Sequence, residues 1–384
     1  MEALELLELI QKGESSSVQF KVRLPNQDSI AQEMTAFSNS TGGLILIGVD
    51  DKTGALNGLT YDEIQSTNRK LVEVASQLVF PSIIITTETV NVSGQNIIVV
   101  GVKEGISKPY KDRLGTIYVK NGSDKRRVTA NDEIARLLQS SKSMYADELP
   151  INGTSIGDID TEYFNKFILK KFNKTLEELG INLKQSLENL NLLKDNNLTL
   201  AGLLFFSKNR HKHRPQFSIQ CVSVAATIIT GNQFIDNEPP FSGNLEEVFS
   251  KTISFIDRNI KKIQTNTSFN SVGAWEIPYE VFEELIVNSL IHRDYFVNST
   301  IKVFIFSDRI EIISPGRLPN SLTVDNVLSG ISIARNPILQ SIAQHALPYK
   351  GLGTGIMRAI SLYPNIKLIN EQENDRFIVI IQRP

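Results

Sequence analysis

The stretch Glu284-Leu285-Ile286-Val287-Asn288-Ser289-Leu290-Ile291-His292-Arg293-Asp294-Tyr295 decides how this chain is read. At about 100° per residue, Val281, Phe282, Leu285, Ile286, Ser289 and Leu290 share one helical face, which is the core face. Glu284, Asn288 and His292 fall four residues apart and form a ridge along its margin. A glutamate there can polarise a water. An asparagine oxygen suits Mg²⁺ held beside phosphates, because Mg²⁺ prefers hard oxygen ligands. Further along, Gly351-Leu352-Gly353-Thr354-Gly355 leads into a helix expected from Ile356. Bare amides at a helix N-terminus suit phosphate. Neither half is specific by itself, since Glu and Asn on a helix margin are usually solvated. In this order, with a strand pair between them, they point to a nucleotide site that lacks the GxxxxGK[ST] loop.

Working outward, 384 residues favour two or three domains. A hydrophobic content of 41% supports real cores, and a net charge of −2 means that any nucleic-acid contact must use a local patch. The single cysteine, Cys221, excludes an intramolecular disulfide, sits in an apolar run and fits a reducing cytoplasm. Met1 to Gln11 carries Glu2, Glu5 and Glu8 among leucines, which reads as a short amphipathic helix rather than a signal peptide. No apolar run approaches the ~20 residues of a membrane span, so no membrane partner is expected.

The periodicity predicts an α+β chain. Residues 1–140 read as one unit: helix 1–13, strand 15–24, a helix over 29–40 stopped by Gly42-Gly43, strand 44–49, helix 61–79, strands 82–90 and 95–102, strand 116–120 running into the Asn121-Gly122 turn, and a last helix after Thr129. The Ser-, Asp- and Gly-rich stretch 141–160 reads as a linker. Residues 161–264 read as a connector, with helices near 161–173, 175–189 and 244–264 and strands at 200–206 and 217–224. The polar run 265–271 reads as a loop that opens a nucleotide domain over 265–384. The dense cluster Lys208 to Arg214 reads as a charged turn, and its histidines lack the neighbours of a zinc site.

A second candidate surface lies in residues 101–130. Lys103, Lys108, Lys111, Arg113, Lys120, Lys125, Arg126 and Arg127 outnumber Glu104, Asp112 and Asp124, and Tyr110 and Tyr118 lie among them. Such a strip fits phosphate-backbone contact with salt-dependent affinity. An ordinary solvated hairpin has the same composition.

Four motifs carry a family resemblance: Glu284–Tyr295, Ser314-Pro315-Gly316-Arg317-Leu318-Pro319, Arg335-Asn336-Pro337 and Gly353-Thr354-Gly355-Ile356. Together, over about residues 200–384, they resemble the C-terminal domain of bacterial proteins described as RecG-like helicase-related or as transcriptional regulators, and through it the GHKL (Bergerat-like) ATPases. The resemblance implies a C-terminal α/β sandwich that takes ATP with Mg²⁺. Glu284 would be the general base and Asn288 the Mg²⁺ ligand through the nucleotide. Gly351, Gly353 and Gly355 would frame the phosphates, and His292, Arg293, Gly316 and Thr354 complete the candidate set. The wider class reads adenine with Asp-x-Gly-x-Gly; here Ser314 replaces the aspartate. No helicase motor is present in the motifs.

Glu14-Ser15-Ser16-Ser17-Val18-Gln19-Phe20-Lys21 and Ile30–Asp50 resemble the Schlafen-type AlbA-like domain over about residues 10–135, which implies binding of DNA or RNA. Lys21, Lys108, Lys111, Arg113, Lys120, Lys125, Arg126 and Arg127 are its candidate contacts. Some relatives are endoribonucleases with E-x-x-x-x-E-x-K and a downstream aspartate. Glu14 and Lys21 match and Asp50 or Asp51 can serve downstream, but Gln19 replaces the second glutamate, removing a charge that metal-dependent hydrolysis needs. The expected protein is thus a cytoplasmic, self-associating nucleic-acid-binding regulator with a nucleotide-binding domain. The alternatives are a nucleotide-gated nuclease, with a place in phage defence, and a scaffold with neither activity. Relatives carry a winged helix after the ATPase domain; the chain stops at Pro384, so specific operator recognition is not expected.

Overall fold

The computed structural model describes residues 1–141, 143–229, 233–264, 273–319 and 322–384. They form two compact units, Met1–Met144 and Tyr145–Pro384.

The first unit is built on a four-stranded sheet. β1 (Val18–Lys21) pairs parallel with β2 (Gly43–Ile47), which continues antiparallel to β4 (Gln95–Val102) and then to the edge strand β3 (Ile85–Val92). Side chains alternate across a strand. Ile45 and Ile47 therefore meet Ile30, Met34 and Phe37 of α2 (Gln27–Asn39) and Leu71 and Val74 of α3 (Tyr61–Gln77), while Leu46 and Val99 meet Leu6 of α1 (Ala3–Lys12). Each such fully buried side chain contributes roughly 1.5–3 kcal/mol. Local chemistry sets the ends. Asn26 caps α2 by accepting from Ser29 N at 2.8 Å. A Cβ on Gly43 would lie 2.3 Å from the Phe37 ring, so the chain can leave α2 and enter β2 that closely only as glycine. The hairpin of β5 (Tyr118–Asn121) and β6 (Asp124–Arg127) turns at Gly122.

The second unit is a two-layer α/β sandwich. Its six-stranded sheet runs β8 (Phe234–Glu238), β7 (Ile219–Val224), β9 (Ile301–Ile305), β10 (Arg309–Pro315), β12 (Arg376–Gln382), β11 (Ile366–Glu371), and only β7 and β9 are parallel neighbours. Val303, Ile305, Ile310 and Ile312 pack into one core with α5 (Thr161–Phe172), α7 (Leu200–Phe206), α9 (Leu245–Asn259), α10 (Tyr279–His292) and α12 (Pro337–Ala346).

Several expectations are corrected. Residues 200–206 are a helix, not a strand: Thr199 Oγ1 caps it by accepting from Gly202 N at 3.3 Å, and all seven residues are buried, so no polar face marks the helical period. Of the helix expected over 175–189, only Leu183–Asn189 is helical. Residues 145–160 pack into the second unit rather than linking units: Ala146, Ile151 and Ile159 join its core. Their polar composition serves turns and caps. Asp147 Oδ2 accepts from Ile338 N at 2.7 Å and Leu339 N at 2.9 Å at the start of α12. Lys208–Arg214 is not a plain charged turn, because Arg210 is fully buried and donates to the carbonyls of Gly243, Phe217 and Phe241. The loop expected at 265–271 lies outside the described residues.

Candidate nucleotide site

The second unit holds a cleft of about 1080 Å³, counting its solvent-open mouth, between α10 and the segment that carries the glycine run. Leu285, Ile312, Phe377 and Val379 give it an apolar floor. Glu284, Asn288, His292, Gly316, Gly351, Gly353, Thr354 and Gly355 all line it, so eight of the sequence candidates come together.

Helical spacing stacks Glu284 and Asn288. Asn288 Nδ2 donates to Glu284 O at 2.6 Å and to Glu284 Oε1 at 2.8 Å. The other carboxylate oxygen accepts from the Arg358 guanidinium on α13 (Gly355–Leu362). Glu284 is only 7% exposed, and these partners compensate its burial. Gly351 and Gly353 have φ of 69° and 72°, the left-handed region that favours glycine. Thr354, at the N-cap of α13, makes no side-chain cap, so the first-turn amides have no side-chain acceptor there. Around the mouth Arg317, Lys350 and Arg358 are exposed, and Glu284 is the only carboxylate lining the cleft among the described residues. The electrostatics therefore favour an anionic ligand with an apolar part. Because Glu284 engages the Asn288 amide nitrogen, the amide oxygen is the atom left for a cation. No group of three His, Cys, Asp or Glu able to hold a metal occurs among the described residues.

Other candidates turn out to be architectural. His292 borders the cleft, but its Nε2 lies 3.3 Å from the Tyr349 hydroxyl, and desolvation, then the Arg335 charge, lowers its pKa to about 4. It is a neutral imidazole. Arg293 does not line the cleft. It is buried, donates to Val297 O and Ser299 O, and stacks over Phe217 and Tyr295. Gly316 is required by packing, since a Cβ would lie 2.2 Å from that of Asp294. Arg335 and Asn336 donate to the carbonyls of Ile291, His292 and Arg293, satisfying the C-terminal end of α10. Ser314 lines the cleft and its hydroxyl donates to Ser289 O at 3.4 Å. Arg358, Lys350 and Arg317 were missed as site residues. Arg317 lies inside the Ser314–Pro319 motif, and Lys350 and Arg358 have proximity to the glycine run as their only sequence signal.

In the first unit the basic strip is largely spent internally. Lys108 is buried against Ser40 O and Glu104. Arg113 pairs with Asp28, Arg126 with Glu133, and Lys125 with Glu33. Lys120 is nearly inaccessible, contacts Gln19 Oε1 at 2.9 Å and stands 3.6 Å from Glu33; burial lowers its pKa against the pull of Glu33. Tyr110 and Tyr118 are core residues, not stacking platforms. Lys111 and Arg127 remain exposed and Lys21 half-buried, with no ion pair among the described residues. Glu14 accepts from Gln19 Nε2 at 2.5 Å and from Phe20 N at 2.7 Å. Asp50 closes its own turn, where the Thr53 amide and hydroxyl, then the Lys52 amide, hold its pKa down.

An α/β sandwich carrying such a cleft, beside a separate α+β unit, defines a two-domain protein. Residues 14–129 match the model of the "Schlafen, AlbA_2" family, and residues 298–381 match the model described as "Putative ATP-dependent DNA helicase recG C-terminal". Residues 135–220 match a domain of unknown function. The chain thus joins an N-terminal Schlafen AlbA_2 domain to a RecG-C-terminal-like, ATPase-like domain. Among solved structures it is similar to the DIP2311 protein from Corynebacterium diphtheriae at 20% identity, covering 99% of this chain and 80% of that one with a TM-score of 0.48. It is also similar to the "N-terminal Domain of Putative ATP-dependent DNA Helicase RecG-related Protein" from Nitrosomonas europaea at 24% identity, covering 34% of this chain and 96% of that one with a TM-score of 0.25. No curated protein matches. No described helix is long and apolar enough to cross a membrane.

Proposed function

We propose that this protein is a nucleic-acid-binding regulator, transcriptional or defensive, whose C-terminal cleft takes a nucleoside triphosphate with Mg²⁺. One observation carries the reading: Glu284 and Asn288 of α10 meet the uncapped start of α13 in a cleft rimmed by Arg317, Lys350 and Arg358. The apolar floor suits a base, the cationic rim a polyphosphate, and Asn288 a phosphate-bound Mg²⁺. When bound, Mg²⁺ would neutralise phosphate charge. Glu284 is the group able to take a proton from water. Ser314 offers a hydroxyl where the adenine-reading class has a carboxylate, so base selectivity is set differently here. In the first unit, Lys111, Arg127 and Lys21, without an ion pair among the described residues, and Arg113 and Arg126, whose ion pairs lie at the surface, are the contacts available to a phosphate backbone. The Glu14–Gln19–Lys120 chain, with an ammonium where metal-dependent hydrolysis would want a cation site, favours binding over cleavage. A ligand-dependent arrangement or self-association of the chain would link the two activities. The test is calorimetric titration of the intact chain and Asn288→Ala with Mg²⁺-ATP and Mg²⁺-GTP. Binding that is lost in the variant supports the site; a wild type that takes neither nucleotide removes it.

A further inference from the structure

Resting on that nucleotide reading, we infer that Arg358 is the phosphate receptor of the cleft, and that Glu284 is a resident anion which the ligand displaces from it. Arg358 lies outside every motif that pointed to the site, in the first turn of α13 just after the glycine run.

Three observations converge. First, the Glu284 carboxylate sits against that first turn: a Cβ on Gly355 would fall 1.5 Å from Glu284 Oε1 and 2.4 Å from its Cδ. A negative group already occupies the place where the helix start favours one. Second, the same carboxylate takes one donor, Nη2, of the Arg358 guanidinium. A guanidinium has five donors in a planar fork matched to phosphate. The Arg358 side chain is 44% exposed, whereas that of Glu284 is 8% exposed, so the arginine reaches solvent from the pair and the glutamate does not. Third, no other carboxylate lines the cleft among the described residues, so an arriving polyphosphate meets one repulsive group, and that group is the one holding Arg358.

The consequence is an exchange of ion pairs. A terminal phosphate takes the Arg358 fork and the first-turn amides. Glu284 gives up its cation and keeps the Asn288 amide at 2.8 Å. Arg358 thereby couples ligand arrival to release of the group able to act on water, and an empty cleft holds that group in check.

The experiment is calorimetric titration of the full chain with Mg²⁺-ATP and with inorganic tripolyphosphate, for wild type, Arg358→Ala, Arg358→Lys and Glu284→Gln. Arg358→Ala is expected to weaken both ligands roughly tenfold or more, the loss of a charge-assisted contact. Arg358→Lys keeps the charge without the fork and is expected to fall between; its melting temperature, unchanged from wild type, serves as the folding control. Glu284→Gln is expected to bind tripolyphosphate several-fold more tightly, because it frees Arg358. Unchanged affinity in Arg358→Ala beside a binding wild type overturns the proposal and leaves the nucleotide reading standing. Weaker tripolyphosphate binding in Glu284→Gln overturns the exchange. A wild type that binds neither ligand removes the nucleotide reading and this proposal with it.

Discussion

Gly355 has no side chain because the Glu284 carboxylate fills the space where one would begin, with Oε1 1.5 Å from the position of a Cβ. The glycine run is therefore shaped by a protein group from α10 and not by a ligand alone. Gly355→Ala is expected to push the carboxylate off Arg358 and cost about 1–3 kcal/mol, the range for overpacking a filled site. Urea unfolding would measure it. A loss within error of zero would mean that Glu284 can swing aside freely.

His292 supplies a pH test. Its folded pKa, about 4, lies below the ordinary 6.5 because its surroundings desolvate the cation and Arg335 repels it. Protonation is therefore easier in the unfolded chain. Stability is fully present above pH 6.5 and falls as pH drops through about 4. Melting curves of wild type and His292→Gln across that window should diverge, with the flatter profile in the variant. Parallel profiles would assign the titration to another group.

Asp147 behaves with the opposite sign. Desolvation raises its pKa to about 7 despite the amides of Leu339 and Ile338. The stabilisation from this shift is present below the ordinary 3.8 and is lost as pH rises through about 7. Asp147→Asn keeps an oxygen for the two amides and removes the titration. The melting-temperature advantage of wild type over this variant should shrink as pH rises from 3.8 to about 7 and level off above that, and a constant gap would refute the assignment.

The basic strip divides by burial. Lys111→Ala and Arg127→Ala should weaken DNA or RNA binding, each lowering the log–log salt slope by about one phosphate contact, with the fold intact. Lys120→Met should instead destabilise the first unit, because it leaves Gln19 Oε1 without its donor and removes one of the two cations beside buried Glu33, which keeps Lys125. Fluorescence anisotropy across a salt series and thermal melts separate the two groups. Equal salt slopes in all variants would deny this surface a role.

Local features were legible in the sequence. Helical spacing alone puts Asn288 under Glu284, and the pair forms a hydrogen bond of 2.8 Å. Gly42-Gly43 ends α2 and Gly122 turns the hairpin, because short-range sterics govern both. What the chain could not announce locally is which distant group closes each local device. Arg358 reaches Glu284 across 74 residues, Asp147 caps α12 across 191, and Gln19 receives Lys120 across 101. The same gap hid the helix at 200–206, buried on every side and so without period. It also made Arg293, Lys108 and Lys120 look like ligand contacts, since sequence shows a charge but not its burial. Periodicity records the backbone's own geometry, which each segment carries with it. Pairing and burial depend on desolvation, and only the assembled core decides which groups leave water.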